Sequence, residues 1–594
     1  MENTIRIVAA APKIRLCDVE YNLDLFINEA ARAEKNGAEI IVFPELALTG
    51  ATAGDLYFSE VLTSAAENAL LDYAEATKEY KILSFVGLPL RVGGAVYNAV
   101  AAISEGEIIG ITAKSEHSRH FAPVISDMTV TLGDMSAIMR SNSVYSTEKH
   151  GTRVKIFVKI GDSNEPIPEG VSIIINPTAT PEYVGIAAKR RRELLSLSSR
   201  LGVSAVLCGA SEGESGTDGI YAAARLAAAD RKILCEAPLF SGEQLVCDIP
   251  TCPAEAKAEP TATEEKIPKF PFIPEDKTEL DLALTLQARA LAGRMERAYI
   301  KTAVLGVSGG LDSTLALLVA AHAMDVLGKP RTDVIAITMP CFGTSSRTKS
   351  NALALAELLG CTLRTIDIKE AVSVHFKDIG HSENDYSVVY ENAQARERTQ
   401  ILMDVSNATG GLVVGTGDLS ELALGFATYG GDHLSMYGVN ASVPKTLMRA
   451  MIARYAENAR AAGNERLATV LFDVINTPVS PELLPTERGE ENGQHTEKIV
   501  GPYELHDFFL YCTVKHRLSP AKILALASEA FGGEYTEAEL RSYLGIFISR
   551  FFSQQFKRSC MPDGPRVTEI SLSPRSAWQM PSDCSAALWK KSLQ

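Results

Sequence analysis

Residues Ala303-Val304-Leu305-Gly306-Val307 form a short run of small and branched apolar residues that reads as a buried strand. The run passes through Ser308-Gly309-Gly310-Leu311-Asp312-Ser313 into the helical pattern TLALLVAAHAM. A strand entering a glycine loop that opens a helix confines this part of the chain to an α/β fold with a ligand above the strand ends. The N–H groups at the start of such a helix, with the positive end of its dipole, form an anion site. Gly306 to Gly310 supply close backbone approach, Leu311 starts the helix, and Ser308 and Ser313 add hydroxyl donors. Asp312 adds a carboxylate suited to a magnesium ion that bridges phosphates. Its alternative role is to cap the helix. The loop has no Lys after its second glycine, so it is not a P-loop, and it is not G-x-G-x-x-G, so a dinucleotide Rossmann fingerprint fits poorly.

Downstream of this loop, strands and helices alternate: strand 302–307, helix 313–327, strand 333–339, helix 348–359, strand 362–368, helix 392–408 and strand 412–415. That order predicts a doubly wound parallel sheet, with a mainly helical, loop-rich region after about residue 440. A second α/β block lies upstream. Strand-like runs EIIVFPEL, ILSFVGLPL, VKIFVKI, VSIIINPT and SAVLCGA mix there with helical patterns near 20–35 and 187–200. NAVAAIS and EIIGIT, separated by Glu105-Gly106, read as a hairpin. Stacked sheets with helices outside are expected for this block. Between the blocks, residues 249–277 are rich in Pro, Ala, Glu and Lys without either periodicity, which reads as an extended linker. A chain of 594 residues exceeds one hydrophobic core, in keeping with at least two domains.

The formal charge is −15, so the chain lacks the electrostatic footprint of a general nucleic-acid binder, and any anionic ligand must be held by local chemistry. No apolar stretch approaches the roughly 18 residues of a membrane span, and the start, MENTIRIVAAAPKIRL, carries no secretory-signal pattern. The ten cysteines include no C-x-x-C pair. Reduced thiols and a cytoplasmic location are the expectation.

SGGLDS resembles the pyrophosphate loop of ATP pyrophosphatases, and by itself also suits synthetases of GMP, asparagine or argininosuccinate. Later segments narrow the choice: YENAQARER from Tyr390, GTGDLSELALG from Gly415, FATYGGDHLSMYGVNASVPKTLMRAMI, NTPVSPELLP, VGPYELHDFFLYCTV, RFFSQQFKRSCMPDGP and ISLSPRSAWQMPSD. In order and spacing they resemble the NAD synthetase family across residues 278–594. The resemblance implies an ATP-pyrophosphatase-type domain that amidates deamido-NAD. Its carboxylate attacks the α-phosphate of ATP, pyrophosphate leaves, and ammonia then displaces AMP. It further implies that the 306–313 loop, Thr416 and Lys445 bind ATP, with Lys445 as a phosphate contact. Asp312 and Glu421 would be magnesium ligands. Asn392, Glu421, Phe426, Ala427, Thr428, Tyr429 and Lys557 would hold deamido-NAD, with Phe426 and Tyr429 as a stacking surface. The plainer alternatives stand beside these: Phe426 and Tyr429 as core residues, Lys445 and Lys557 as solvated charges.

Residues 1–248 resemble the nitrilase-type glutaminase domain, an αββα sandwich, fused to such synthetases. That domain uses a Glu–Lys–Cys set: cysteine attacks the glutamine amide, glutamate moves the proton and lysine stabilises the oxyanion. Glu45 follows the strand EIIV, and Lys114 ends the second hairpin strand. The substrate-facing segment that normally precedes Arg119-His120-Phe121 is missing. Gly161 stands where the family has its cysteine, before the loop Asn176-Pro177-Thr178-Ala179-Thr180. Cys208 and Cys17 lie in poor contexts for a nucleophile. The expectation is a degenerate glutaminase, with Glu45 and Lys114 persisting as a buried pair, and ammonia used directly or supplied by a separate glutaminase. A related amidotransferase acting on another carboxylate, and a non-catalytic partner subunit of an active synthetase, are the competing readings. The resemblance also implies a symmetric homo-oligomer.

Overall fold

The computed structural model describes residues 4–149, 152–251, 266–342, 346–477 and 501–593. The chain divides into two compact units. One comprises Met1–Glu182, Ile186–Ser215 and Gly219–Thr263, and the other Tyr183–Gly185, Gly216–Asp218 and Glu264–Gln594.

In the first unit, β1 (Thr4–Ala9), β2 (Ile40–Val42), β3 (Leu83–Val92), β4 (Ala95–Ser104), β5 (Glu107–Ala113), β6 (Met128–Leu132) and β7 (Met135–Arg140) join one sheet. A second sheet holds β8 (Val144–Lys149), β9 (Thr152–Val158), β10 (Ile173–Thr178), β11 (Ser204–Gly209), β12 (Arg225–Ala229) and β13 (Lys232–Glu236). β14 (Leu245–Pro250) returns to the first sheet. The spatial orders are β14-β1-β2-β3-β4-β5-β7-β6 and β13-β12-β11-β10-β9-β8.

The period of two decides which side chains meet. Ile5, Ile7 and Ala9 of β1 pack with Val154, Ile156 and Val158 of β9 between the sheets, while Val8 and Ile41 face the other way. That outer face is covered by α1 (Val19–Lys35) and α2 (Glu60–Ala76) through Phe26, Leu70 and Tyr73. α3 (Ile186–Leu201) covers the second sheet, placing Leu194 against Ala205 and Leu226. These four layers are the expected αββα sandwich. The predicted hairpin turns at Glu105 (φ 49°) and Gly106 (φ 84°), and two successive positive φ values match the right-handed twist of the flanking strands.

Two expectations need correction. Not all cysteines are free: Cys235 of β13 and Cys247 of β14 form a disulfide. β13 and β14 are edge strands of the two sheets, so the bond staples one sheet to the other, a pairing that tertiary structure creates and sequence spacing does not announce. The extended linker is also shorter than expected. Its first residues, 249–250, complete β14, and its last stretch is not free chain. Phe272 is buried edge-on against Tyr511, and Phe270 meets Phe531. The middle of the linker, residues 252–265, lies outside the described residues.

In the second unit, β15 (Thr302–Gly306), β16 (Val334–Thr338), β17 (Thr362–Thr365), β18 (Gly411–Gly415) and β19 (Tyr437–Gly438) form a wholly parallel sheet in the order β17-β16-β15-β18-β19. α4 (Thr278–Arg297) precedes β15, and α5 (Leu311–Leu327), α6 (Ser346–Leu359), α7 (Lys369–Ile379) and α8 (Val388–Thr409) carry most of the connections. The two-residue β19 was not anticipated. α9 (Leu419–Leu424), α10 (Lys445–Ala461), α11 (Glu465–Ile475) and helices at 503–514, 520–531 and 537–553 make up the helical remainder. Of NTPVSPELLP, residues 478–485 lie outside the described residues. The strand order reverses between β15 and β18, and a parallel sheet opens a crevice at such a switch. The loop after β15 is the serine–glycine loop, and the loop after β18 begins with Thr416.

Because the inter-sheet bond closes a loop of 12 residues, Cys247→Ser should lower stability by about 2–3 kcal/mol. Alkylation of the unreduced, denatured chain should leave Cys235 and Cys247 unmodified by peptide mass spectrometry, with both becoming reactive after reduction.

Candidate functional site

The crevice at the switch point is a cavity of about 530 Å³, within the size range of nucleotide and drug-sized ligand sites. Gly306, Val307, Ser308, Gly310, Leu311, Asp312 and Ser313 line one wall. Gly310 is extended and opens α5 without a side-chain cap, so the first N–H groups of that helix remain available. Gly309 has φ +86°, a conformation that only glycine adopts freely. Ser313 Oγ accepts from the Ser308 N–H at 3.2 Å, and Ser308 Oγ accepts from the Gly310 N–H at 3.2 Å, so the two hydroxyls brace the loop.

Opposite stands α9, and its first turn explains the chemistry. Asp418 accepts from the Glu421 N–H at 2.8 Å, and Glu421 reaches back to the Asp418 N–H, a capping box that fixes both carboxylates. At its other end Gly425 adopts a left-handed cap (φ +64°). Arg558 donates to the carbonyls of Leu422 and Ala423, Arg550 to Leu424, and Lys557 to Gly425 and Ala427. Three cations at a helix C-terminus neutralise its negative dipole end and anchor the helix.

Lys445, at the start of α10, joins the two loops. Its Nζ lies 2.5 Å from Asp312, 2.7 Å from Asp418 and 3.0 Å from Glu421. The residue is 3% exposed. Burial alone would discharge it, but three carboxylates outweigh burial and hold its pKa well above the usual lysine value. Burial likewise works against ionised Asp312, yet Lys445 and a hydrogen bond from Asp418 keep its carboxyl below the usual range. Asp418 is pushed far up by burial and by its two acidic neighbours, with Lys445 opposing the rise. Burial pushes Glu421 up to about 7, Asp312 adding to the rise and Lys445 opposing it. One oxygen from each of the three carboxylates lies within 4.8 Å of the others, a spacing that suits a hard divalent cation.

The expected site residues are mostly brought together. Thr416, Asn392, Glu421, Phe426, Ala427, Thr428 and Lys557 all line the cleft with the serine–glycine loop. Thr428 Oγ1 donates to Asn392 Oδ1 at 2.9 Å, tying α8 to that wall. Two expectations change. Lys445 is neither a solvated charge nor an open phosphate contact, because its ammonium is spent on the carboxylates beneath the cleft. Tyr429 does not pair with Phe426 across the ligand space: it is 48% exposed and stacks on His433, 5.1 Å away. Phe426 alone faces the cleft, with the Arg550 guanidinium 5.7 Å from its ring.

Asp418, Arg398, Asp432, Tyr503 and Arg550 were missed. Asp418 had a legible signal, the D-x-x-E capping box inside GTGDLSELALG, whereas Arg550 and Tyr503 arrive from distant helices. Tyr503 lines the cleft, is buried, and its hydroxyl has no hydrogen-bond partner among the described residues. A buried hydroxyl without a partner is costly, and this one lines the cleft. Its pKa is far above the ordinary value because of burial, so the phenol stays a donor.

In the first unit, Glu45 and Lys114 are paired at 2.7 Å. Glu45 Oε1 also accepts from Asn98 Nδ2 at 2.6 Å, and Oε2 accepts from the Ala179 N–H at 3.0 Å. A Cβ placed on Gly161 would lie 2.9 Å from Glu45 Oε2 and 3.1 Å from Lys114 Nζ. Residue 161 therefore sits at the apex of the Glu–Lys pair, in a left-handed conformation (φ +56°). Cys208 offers no substitute: its thiol is buried, pushed up to about 12 by burial, and donates to the Val42 carbonyl at 3.3 Å.

A nitrilase-type sandwich and a parallel-sheet unit with a phosphate-type loop over clustered carboxylates define a two-part synthetase. The sequence matches the NAD synthase family over residues 285–529 and the carbon-nitrogen hydrolase family over residues 4–164. It is 34% identical to the glutamine-dependent NAD(+) synthetase of Mycobacterium tuberculosis (strain ATCC 25618 / H37Rv), covering 98% of this chain and 97% of the relative. Its identity to the Mycobacterium leprae protein of the same name is 33%, over 99% and 98% of the two chains. The first alignment runs over 661 positions against 594 residues here, so the relative carries stretches that this chain lacks. The crystal structure of a glutamine-dependent NAD(+) synthetase from Cytophaga hutchinsonii has the same fold, with TM-score 0.80 at 21% identity over 99% of this chain and all of that one. The chain belongs to the glutamine-dependent NAD(+) synthetase family. Among the described residues, no helix is long and apolar enough to cross a membrane.

Glu421 gives a pH signature. Its folded pKa lies above the ordinary 4.5, so its contribution to stability is complete below that value and is lost as pH rises through about 7. Glu421→Gln should flatten the fall in thermal stability between pH 5 and 7.5, by at most about 3 kcal/mol. An unchanged slope would place the titration elsewhere.

Proposed function

We propose that this chain is an ammonia-using NAD synthetase whose own glutaminase has lost its nucleophile. The observation that carries the reading is the Lys445-organised carboxylate cluster set directly against the 306–313 loop in one cleft. ATP is the co-substrate, its phosphates taken by the open N–H groups of α5 and by Ser308 and Ser313, with Thr416 beside them. Asp312, Asp418 and Glu421 would hold magnesium. When bound, the ion would neutralise charge on the phosphates, and the surplus of carboxylates over the single Lys445 ammonium fits that demand.

Deamido-NAD lies along the wall of Asn392, Phe426, Ala427 and Thr428, its pyridine ring on Phe426. Lys557 supports this wall through the carbonyls of Gly425 and Ala427. The nicotinate carboxylate oxygen attacks the α-phosphorus of ATP, and pyrophosphate leaves. Ammonia then attacks the mixed anhydride carbonyl and loses a proton, and AMP departs. The chain's work is to position reactants and stabilise charge, not to act as a strong acid or base. Tyr503, protonated and unpartnered, donates a hydrogen bond to a substrate oxygen.

The nitrogen source follows from Gly161. With no thiol between Glu45 and Lys114, the glutamine amide has no covalent partner. Ammonia is taken directly or from a separate glutaminase, and the first domain is kept as a scaffold. We assign residues 1–250 to that domain, 251–277 to the linker and 278–594 to the synthetase, in a cytoplasmic homo-oligomer.

Purified protein with deamido-NAD, ATP and magnesium should form NAD with ammonium and none with glutamine. Equal rates with both donors would overturn the assignment of residue 161. Glu45→Gln should leave the ammonium-dependent rate unchanged, while Asp312→Asn should lower it about 100-fold or more.

A further inference from the structure

Lys445 is held at its main chain as well as at its ammonium. Pro444 caps α10 without a side-chain bond, so the first N–H groups of that helix need partners from elsewhere. The Lys445 N–H donates to Ser420 Oγ at 2.9 Å. Ser420 lies in the first turn of α9, between Asp418 and Glu421, whose carboxylates hold Lys445 Nζ. One turn of α9 therefore holds both ends of the same lysine.

The next N–H, that of Thr446, leads to a fourth carboxylate. Asp507, in the helix Tyr503–Val514, is 1% exposed. Its Oδ2 accepts from the Thr446 N–H at 3.0 Å and from Thr446 Oγ1 at 2.7 Å, and its Oδ1 accepts from Ser420 Oγ. Burial pushes its pKa up to about 6, and the bonds from Ser420 and Thr446, together with Lys445, oppose the rise. At neutral pH Asp507 is thus an acceptor only, which fixes the polarity of the chain. Ser420 has one hydroxyl proton and gives it to Asp507, so lone pairs of Ser420 Oγ are what face the Lys445 N–H. The negative group also sits at the positive end of α10.

Asp507, Ser420 and Thr446 are absent from the lining of the cleft, so none of them touches a substrate held there. Tyr503, one helical turn before Asp507, does line it, with its ring 5.6 Å from Lys445 Nζ. α9, α10 and the helix that presents Tyr503 meet at one buried carboxylate.

We propose that Asp507 is a positioning residue of the synthetase site. Through Ser420 and the first turn of α10 it sets Lys445, and with it the carboxylates of α9, in the geometry that receives a divalent cation. The inference rests on the reading of this cluster as the magnesium site of an NAD synthetase.

The test uses the full chain with ammonium as nitrogen donor. Asp507→Asn keeps the shape but turns an N–H toward Ser420 Oγ, reversing that bond. It should lower kcat about tenfold and leave the KM for deamido-NAD within about twofold. Binding of Mn2+ to the nucleotide-free protein, followed by electron paramagnetic resonance, should weaken about tenfold. Ser420→Ala, which removes the relay and spares the Thr446 bonds, should move both quantities in the same direction. Ile523→Ala, a buried change in the helix Pro520–Phe531, lowers stability outside this network and should move neither. Wild-type kcat and Mn2+ affinity in Asp507→Asn, or equal losses in Ile523→Ala, would overturn the positioning role alone if wild type forms NAD. Weakened Mn2+ binding by Asp507→Asn, with no NAD formed even by wild type, would keep that role and remove the synthetase reading. Wild type that neither binds Mn2+ nor forms NAD would overturn both.

Discussion

One buried ammonium organises the catalytic unit. Lys445 draws together Asp312 from the first turn of α5 and Asp418 and Glu421 from the start of α9, two segments that a parallel sheet would otherwise present side by side without joining. Asn440 reinforces the junction, donating to the carbonyls of Asp312 and Thr416 at 3.0 and 3.1 Å. Removing one partner from such a set leaves uncompensated buried charge, a loss of about 3–5 kcal/mol. The cleft walls are therefore held in register by the same groups that give the site its charge. The cationic cap of Arg550, Lys557 and Arg558 on α9 extends this arrangement to the wall of Phe426 and Thr428.

The two units use buried charge in different ways. In the synthetase unit three carboxylates face a single cation and outnumber it. In the sandwich, Glu45 and Lys114 match one to one, and Asn98 and the Ala179 N–H take up the remaining acceptor capacity. A self-satisfied pair of this kind stabilises a fold with no ligand present, whereas the surplus over Lys445 asks for one.

Much of this was legible in the chain because it is local. The strand–loop–helix at 302–327 announces itself by composition, and the hairpin by two residues that accept positive φ. Asp418, which the reading missed, had a signal just as local, the four-residue D-x-x-E capping box. What could not be read arises from distant segments. A buried lysine and a solvated one look alike in sequence, so nothing in the chain alone separates Lys445 as a phosphate contact or a solvated charge from the buried ion-pair partner it is. Phe426 and Tyr429 stand three apart, yet the turn after Gly425 sends them in different directions. The Cys235–Cys247 bond depends on two edge strands from different sheets meeting, and Arg550 reaches the cleft from a helix more than a hundred residues beyond α9.

The backbone at residue 161 also limits what can stand there. A left-handed residue with a side chain is strained by roughly 1–2 kcal/mol, and glycine is not. With φ at +56°, any exchange of Gly161 for a residue with a side chain climbs against stability before it can alter the chemistry between Glu45 and Lys114.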